Sequence, residues 1–200
     1  MSKGHVIGLG AMPGAGKDQL VASLEILGVQ ELHVGTLVRA TAREQGFTPA
    51  ENTREAFIPF WIDYCATNGP ETLARVALEA AEKSGSNFVL NGVRTMPDAA
   101  HLAGSTNSTM VWLSSDIRIA AARVMRRDRI EDRRFKTIDE CIADMERDLA
   151  NEGNFPMGHI MDTSAFSITP VPNMEDEGLR TKRYDEVACY VMAKIGLKRS

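Results

Sequence analysis

Short apolar runs alternate with segments of helical period along the chain. Apolar stretches at His5–Leu9, Glu31–Val34, Asn87–Leu90, Met110–Leu113 and Ala165–Ile168 predict five strands. Between them, the spacing predicts helices over Lys17–Leu27 and Thr36–Gln45, stopped by Gly28 and Gly46. Two more are expected over Glu51–Ala66 and Pro70–Lys83, and a short one after Pro97. Ser115–Ile130 and Thr137–Asn151 read as helices joined by a charged turn, with Ser115 or Asp116 as the cap of the first. Thr169–Lys182 holds two Pro and a Gly and reads as a loop. Tyr184–Ile195 reads as an amphipathic helix with Val187, Tyr190, Val191 and Ile195 inward. Strands alternating with helices predict an α/β fold on a parallel sheet.

Composition narrows the class. Two hundred residues fit one domain with small insertions, and 44% hydrophobic content with 25% charged excludes a disordered or collagen-like chain. The apolar runs fall far short of the ~20 residues that span a bilayer, and no signal peptide is visible, so no membrane partner is expected. The net charge of -4 argues against a nucleic-acid-coating protein. Cys65, Cys141 and Cys189 are odd in number and widely spaced, as reduced thiols of a cytoplasmic protein would be. The four histidines, at 5, 33, 101 and 159, lack metal-ligand spacing. The basic residues are uneven. Sixteen of 23 are Arg, and seven of those fall between Arg118 and Arg134. Arg is the fork-shaped partner of phosphate and carboxylate.

The sharpest chemistry lies in Gly8-Leu9-Gly10-Ala11-Met12-Pro13-Gly14-Ala15-Gly16-Lys17-Asp18, directly after the first strand. Gly14 and Gly16 let backbone wrap an anion, successive N–H groups form a nest, and the helix that opens at Lys17 adds its positive end. Lys17 reaches the outer phosphates of a nucleotide. Residues Gly10, Ala11, Met12, Pro13, Gly14, Ala15, Gly16, Lys17, Asp18 and Gln19 are therefore the expected binding segment for the phosphates of a nucleotide cofactor. Two positions depart from the G-x-x-x-x-G-K-[ST] pattern. Ala11 replaces a Gly, at little cost if its φ is negative. Asp18 replaces the hydroxyl that would hold Mg²⁺, and an acid there binds the ion directly or through water.

With that loop in place, the chain resembles the nucleoside monophosphate kinase group of P-loop phosphotransferases, closest to small adenylate-kinase-like proteins, including archaeal ones, and phage-type deoxynucleotide kinases. The resemblance runs from about Val6 to Ile195. Val34-Gly35-Thr36-Leu37-Val38-Arg39 is similar to the group's G-[DT]-x-x-R segment, which implies that Thr36 and Arg39 hold the acceptor phosphate. Gly35-Thr36 also makes a good helix cap. Phe88-Val89-Leu90-Asn91-Gly92-Val93-Arg94 is similar to its D-G-x-R motif, which implies that Arg94 contacts the acceptor. Asn91 stands in for the usual Asp as a metal-side residue. Asp18 and Asn91 then read as compensating changes, the acid moving from strand end to loop. Arg123 to Arg134 looks like the lid. Positions 123 and 127 share one helix face, as do 126 and 129, and Arg127 and Arg133 are the expected catalytic cations. The neighbouring acids would also suit a solvated, ion-paired connection.

The implied architecture is a five-stranded parallel P-loop sheet flanked by helices. Its core is expected over 1–35, 84–116 and 160–200, a helical acceptor-binding insertion over 36–83, and the Arg-rich lid over 117–159. The insertion holds Phe57, Phe60, Trp61 and Tyr64, read as core ahead of a base slot, with Arg54 and Arg75 at the surface by default. The implied activity is ATP- and Mg²⁺-dependent phosphoryl transfer to a small phosphorylated acceptor, a (deoxy)nucleoside monophosphate, by a monomer or homodimer. Dephospho-CoA kinase is the alternative enzyme, although the acidic motif of that family after the second strand is missing. A regulatory nucleotide-binding NTPase is the alternative outside enzymes of this kind, and it has no need for the pair Arg39 and Arg94.

Overall fold

The computed structural model of the chain describes residues 3–49, 54–127, 135–153, 155–169 and 177–197. Among the described residues, five strands form one sheet: β1 (Val6–Ala11), β2 (Gln30–His33), β3 (Phe88–Asn91), β4 (Ser108–Leu113) and β5 (Phe166–Ile168). Their order is β2-β3-β1-β4-β5, and every pairing is parallel. Around the sheet stand α1 (Lys17–Ile26), α2 (Val34–Glu44), α3 (Arg54–Asn68), α4 (Thr72–Ser84), α5 (Met96–Gly104), α6 (Ile117–Arg126), α7 (Ile138–Leu149), α8 (Met157–Thr163) and α9 (Glu177–Lys194).

A parallel sheet needs cover on both faces, and the strand sequences supply it. Val6, Ile7 and Leu9 of β1, Leu90 of β3, and Met110, Trp112 and Leu113 of β4 are essentially inaccessible to solvent. β2 is the edge strand, and its Gln30, Glu31 and His33 are exposed, which suits an edge. The carboxyl ends of three strands stand in a row. His33 pairs with Asn91, and Asn91 with Leu9. Ligands bind in the crevice outside such strand ends in open α/β sheets.

Several boundaries differ from expectation for physical reasons. The helix after β2 begins at Val34 with no intervening loop, because the His33 ring caps it, so Gly35-Thr36 lies inside the first turn rather than forming the cap. Helix α6 ends at Arg126; Arg127 has an extended ψ of 134°, so it does not continue the helix face of Arg123. Arg129 and Arg133 lie outside the described residues. Helix α9 opens at Glu177, so the expected loop over Thr169–Lys182 is helical in its second half. Tyr190 is 54% exposed and meets the ring of Phe166 edge-on, centroids 6.3 Å apart. The buried stripe of α9 is instead Tyr184, Val187, Ala188 and Val191, at the 3-and-4 spacing that lets the helix pack on α1. The short α8, which the hydropathy pattern did not announce, buries Met157 and Ile160.

Other expectations hold. Asp116 caps α6, its Oδ1 accepting from the amides of Arg118 at 2.9 Å and Ile119 at 3.1 Å. Phe57 is buried, whereas Phe60, Trp61 and Tyr64 are only half-buried; Phe60 stacks on Phe47 and on Tyr64, and Tyr64 on Trp61, with centroids 5.1 to 5.7 Å apart. Arg75 donates to the Asn68 carbonyl at 2.8 Å. The three cysteines are free thiols. No described helix is long and apolar enough to cross a membrane.

Candidate functional site

The loop after β1 is shaped from beneath. Gly14 and Gly16 have φ of 77° and 90°, a left-handed region where a side chain is strained. Each also lies against a neighbour. A Cβ on Gly14 would strike the Ala120 carbonyl of α6, and one on Gly16 would strike the Tyr184 hydroxyl of α9. Ala11 ends β1 outside this region, so the missing glycine there carries no backbone penalty.

Two side chains hold successive loop carbonyls. Arg123 Nη1 donates to the Gly14 carbonyl at 3.1 Å, and the Tyr184 hydroxyl donates to the Ala15 carbonyl at 3.3 Å. Tyr184 is 5% exposed, so its donor is held in place by packing. The Ala15 amide, in the same peptide as the Gly14 carbonyl, donates back to the Met12 carbonyl at 3.2 Å and closes a turn within the loop. Helix α1 then begins at Lys17, with Gly16 at its cap and no side chain hydrogen-bonded to that cap. Uncapped helix N-termini with oriented amides attract anions. Lys17 Nζ rests on Asp18 Oδ1 at 2.8 Å, an adjacent pair whose carboxylate is largely exposed. Such a pair is worth at most about 1 kcal/mol, so a polyphosphate competes for Lys17 readily.

The neighbouring strand ends add charge. The His33 Nδ1 accepts from the Thr36 amide at 3.3 Å, closing the first turn of α2. Gly35 packs closely there: a Cβ would stand 3.1 Å from the His33 ring and 3.5 Å from Arg39 Nη1. Burial lowers the His33 pKa below its ordinary value, the Lys17 charge lowers it further, and the Glu31 and Asp18 carboxylates act in the opposite sense. His33 is thus neutral near pH 7, with Nδ1 accepting and its proton on Nε2. Lys17, Asp18, Glu31, His33 and Arg39 share one electrostatic neighbourhood.

Asn91 sits 2% exposed at the end of β3, beside the start of the loop. Its Nδ2 donates to Glu31 Oε1 of β2, while its Oδ1 is buried with no hydrogen-bond partner. Most buried polar atoms are paired, so an orphaned acceptor at a strand end marks a place for a donor such as a metal-bound water.

The structure therefore brings together Lys17, Asp18, Thr36, Arg39 and Asn91. Arg94 is placed differently, its guanidinium 5.0 Å above the Phe155 ring in the connection between α7 and α8. Arg127 is the last described residue before the connection to α7, and Arg133 lies outside the described residues. Sequence reasoning missed Glu31, His33 and Tyr184. A usable signal for the first two was present: two polar residues two apart on a strand share a face.

No protein-family profile matches the chain. A UPF0200 protein of Thermoplasma acidophilum is 26% identical over 177 residues, which span 86% of this chain and 90% of that one. Among solved structures, shikimate kinase from Bacteroides thetaiotaomicron superposes with a TM-score of 0.59 at 12% identity, covering 96% of this chain and 99% of that one. Shikimate kinase from Acinetobacter baumannii, in complex with shikimate, gives 0.54 at 17% identity and 96% of each chain. The Deinococcus radiodurans tunicamycin resistance protein gives 0.58 at 13% identity, covering 98% and 97%. The chain has the α/β fold of small P-loop kinases, as its resemblance to the nucleoside monophosphate kinase group implied.

Proposed function

We propose that the protein is an ATP- and Mg²⁺-dependent phosphotransferase that moves the γ-phosphoryl to a small phosphorylated acceptor, a (deoxy)nucleoside monophosphate. The observation that carries this reading is the loop over 10–18. Its two left-handed glycines are floored by α6 and α9, its carbonyls are held by Arg123 and Tyr184, and Lys17 opens the helix beyond it. A triphosphate tail suits a glycine turn followed by a lysine at an uncapped helix start.

The residues present also fit a hydrated magnesium ion, since Asp18 offers a largely exposed carboxylate and Asn91 an orphaned oxygen. Bound there, the ion would neutralise charge developing on the phosphate oxygens. Lys17 would leave Asp18 for the β- and γ-phosphates. Arg39 and the Thr36 hydroxyl would hold the acceptor phosphate. Arg94 would contact the acceptor, and Arg127 and Arg133 would bring further positive charge as the lid region over 117–159 closes and excludes water. Phosphoryl transfer through a loose transition state asks for positioning and positive charge above all.

The groups near the loop that could take a proton favour a phosphate acceptor. A hydroxyl acceptor needs a base, whereas a phosphate oxygen is already an anion. His33 uses its Nδ1 on the Thr36 amide, Glu31 is engaged by Asn91, and Asp18 would face the metal ion once Lys17 has moved to the phosphates. The imidazole thus presents a donor, Nε2–H, which suits a phosphate. Shikimate, the ligand in one structural relative, carries hydroxyls and no phosphate, and dephospho-CoA is the remaining phosphorylated alternative. Incubation with ATP, Mg²⁺ and each of a panel of nucleoside monophosphates, dephospho-CoA and shikimate, with products identified by mass, tests this reading. A new nucleoside diphosphate in step with ADP is expected. Consumption of ATP with shikimate alone, or hydrolysis indifferent to every acceptor, contradicts it.

A further inference from the structure

Where the group that the chain resembles carries an Asp after its third strand, this protein has Asn91, and the structure supplies a partner for it that the sequence pattern did not. Glu31, on the edge strand β2, accepts a hydrogen bond from Asn91 Nδ2. The two residues are 60 positions apart in sequence and share one face of the sheet, along with His33. A carboxylate only accepts, so the amide NH₂ must face it and the amide oxygen must face away. That oxygen is the one left buried without a partner. The orientation of the Asn91 amide is thus dictated by Glu31 and not by its own preference.

Resting on the phosphotransferase reading above, we propose that Glu31 is a positioning residue for the metal–nucleotide site. It locks the Asn91 amide so that Oδ1 is presented to a metal-bound water, and it supplies at one remove the negative charge that a strand-end Asp would carry directly. Groups one step behind a metal's own partners orient them and commonly change metal affinity by 10- to 100-fold when removed.

The pairing makes a reciprocal demand on residue type. Asn91→Asp restores the residue usual in that group, yet it sets two carboxylates at hydrogen-bond distance, where like charges repel. Glu31→Gln alone leaves an amide facing an amide, free to settle with either end forward. The double change Glu31→Gln with Asn91→Asp returns a donor–acceptor pair in the opposite sense, and with it a fixed oxygen facing the site.

The test reads binding and stability, with no assay of turnover. Thermal unfolding is followed for the wild type and the three variants, without ligand, with ATP and EDTA, and with ATP and increasing Mg²⁺. The expected result is that each single change raises the Mg²⁺ concentration for half-maximal ATP stabilisation about tenfold or more, on the scale given above. The double variant recovers most of that loss. Asn91→Asp alone also lowers the ligand-free midpoint, and Glu31→Gln rescues it. A Mg²⁺ requirement unchanged in both single variants, with ATP still stabilising the wild type, overturns the positioning role and leaves the phosphotransferase reading standing. Single variants impaired with no recovery in the double overturn the pairing in the same way. A wild type that ATP fails to stabilise with or without Mg²⁺ overturns both.

Discussion

The Tyr184 hydroxyl occupies the space that a side chain on Gly16 would need, and it donates from there to the Ala15 carbonyl at 3.3 Å. One residue from the closing helix thereby fixes both the identity and the direction of the loop after β1. Gly16→Ala should cost roughly 1–3 kcal/mol in backbone strain alone, with the steric conflict added. Tyr184→Phe keeps the ring and loses one hydrogen bond, about 1 kcal/mol. Arg123→Gln frees the Gly14 carbonyl and should weaken ATP about tenfold, or about 1.4 kcal/mol, with little change in the unfolding midpoint. Thermal melts and ATP titrations of the three variants check this; an Arg123→Gln protein that binds ATP as the wild type does would remove the tether from the account.

Acid should destabilise the protein through its histidines. Burial lowers the pKa of His5, whose Nε2 lies 3.0 Å from the Thr109 hydroxyl, and His33 is shifted in the same direction. A lowered native pKa means that the unfolded chain takes up the proton first. Stability is therefore full above the unfolded value of about 6.5 and is lost as pH falls through the native one, by at most about 1.4 kcal/mol per pH unit for each group. Denaturant midpoints measured from pH 7.5 to 5 should fall, and His5→Gln should flatten part of that slope. A His5→Gln protein with the wild-type slope would contradict the assignment.

Asp98 runs the other way. Burial raises its pKa, while the bonds from Thr95 and Ala74 partly offset the shift. Its contribution to stability thus declines as pH rises from about 3.8 through the native value. Its hydrogen bonds still matter at pH 7, because it receives the Ala74 amide of α4 at 3.0 Å and the Thr95 hydroxyl that caps α5. Asp98→Ala should cost about 2–3 kcal/mol by leaving those donors buried and unanswered. Urea denaturation at pH 7 reads this directly, and a loss below about 0.5 kcal/mol would mean that solvent replaces the carboxylate.

Cys65 should be a slow thiol. Burial, with Asp98 and Glu71 adding to it, pushes its pKa up to about 11. Roughly 0.1% is then thiolate at pH 8, and the thiolate is the nucleophile. Mass mapping after timed alkylation should find Cys65 modified far more slowly than free cysteine. Modification at the free-thiol rate would place the side chain in water.

The sequence carried the sheet and the loop because both rest on local signals. Apolar runs define β1, β3 and β4, and Gly14, Gly16 and Lys17 define the turn. What was illegible depends on contacts between distant segments. His33 caps α2 although His is an uncommon cap, and the direct passage from strand to helix left no loop to read. Glu31 looked like an ordinary polar residue of an edge strand until Asn91 came beside it. Tyr190 fitted a helical period that only the packing of α9 on α1 resolves in favour of Tyr184. The lid cations were visible as composition, but Arg123 turned out to face the loop carbonyl of Gly14, 109 positions earlier.

Calorimetric titration of ATP into the wild type and into Lys17→Ala tests the central claim, that the turn after β1 grips a polyphosphate. The wild type should bind one ATP per chain. Lys17→Ala should lose several kcal/mol toward the transition state, on the order of 10³-fold in turnover, with a clear fall in ATP affinity at an unaltered unfolding midpoint. A wild type that shows no binding heat at millimolar ATP, or a Lys17→Ala protein that binds and turns over ATP unchanged, would contradict it.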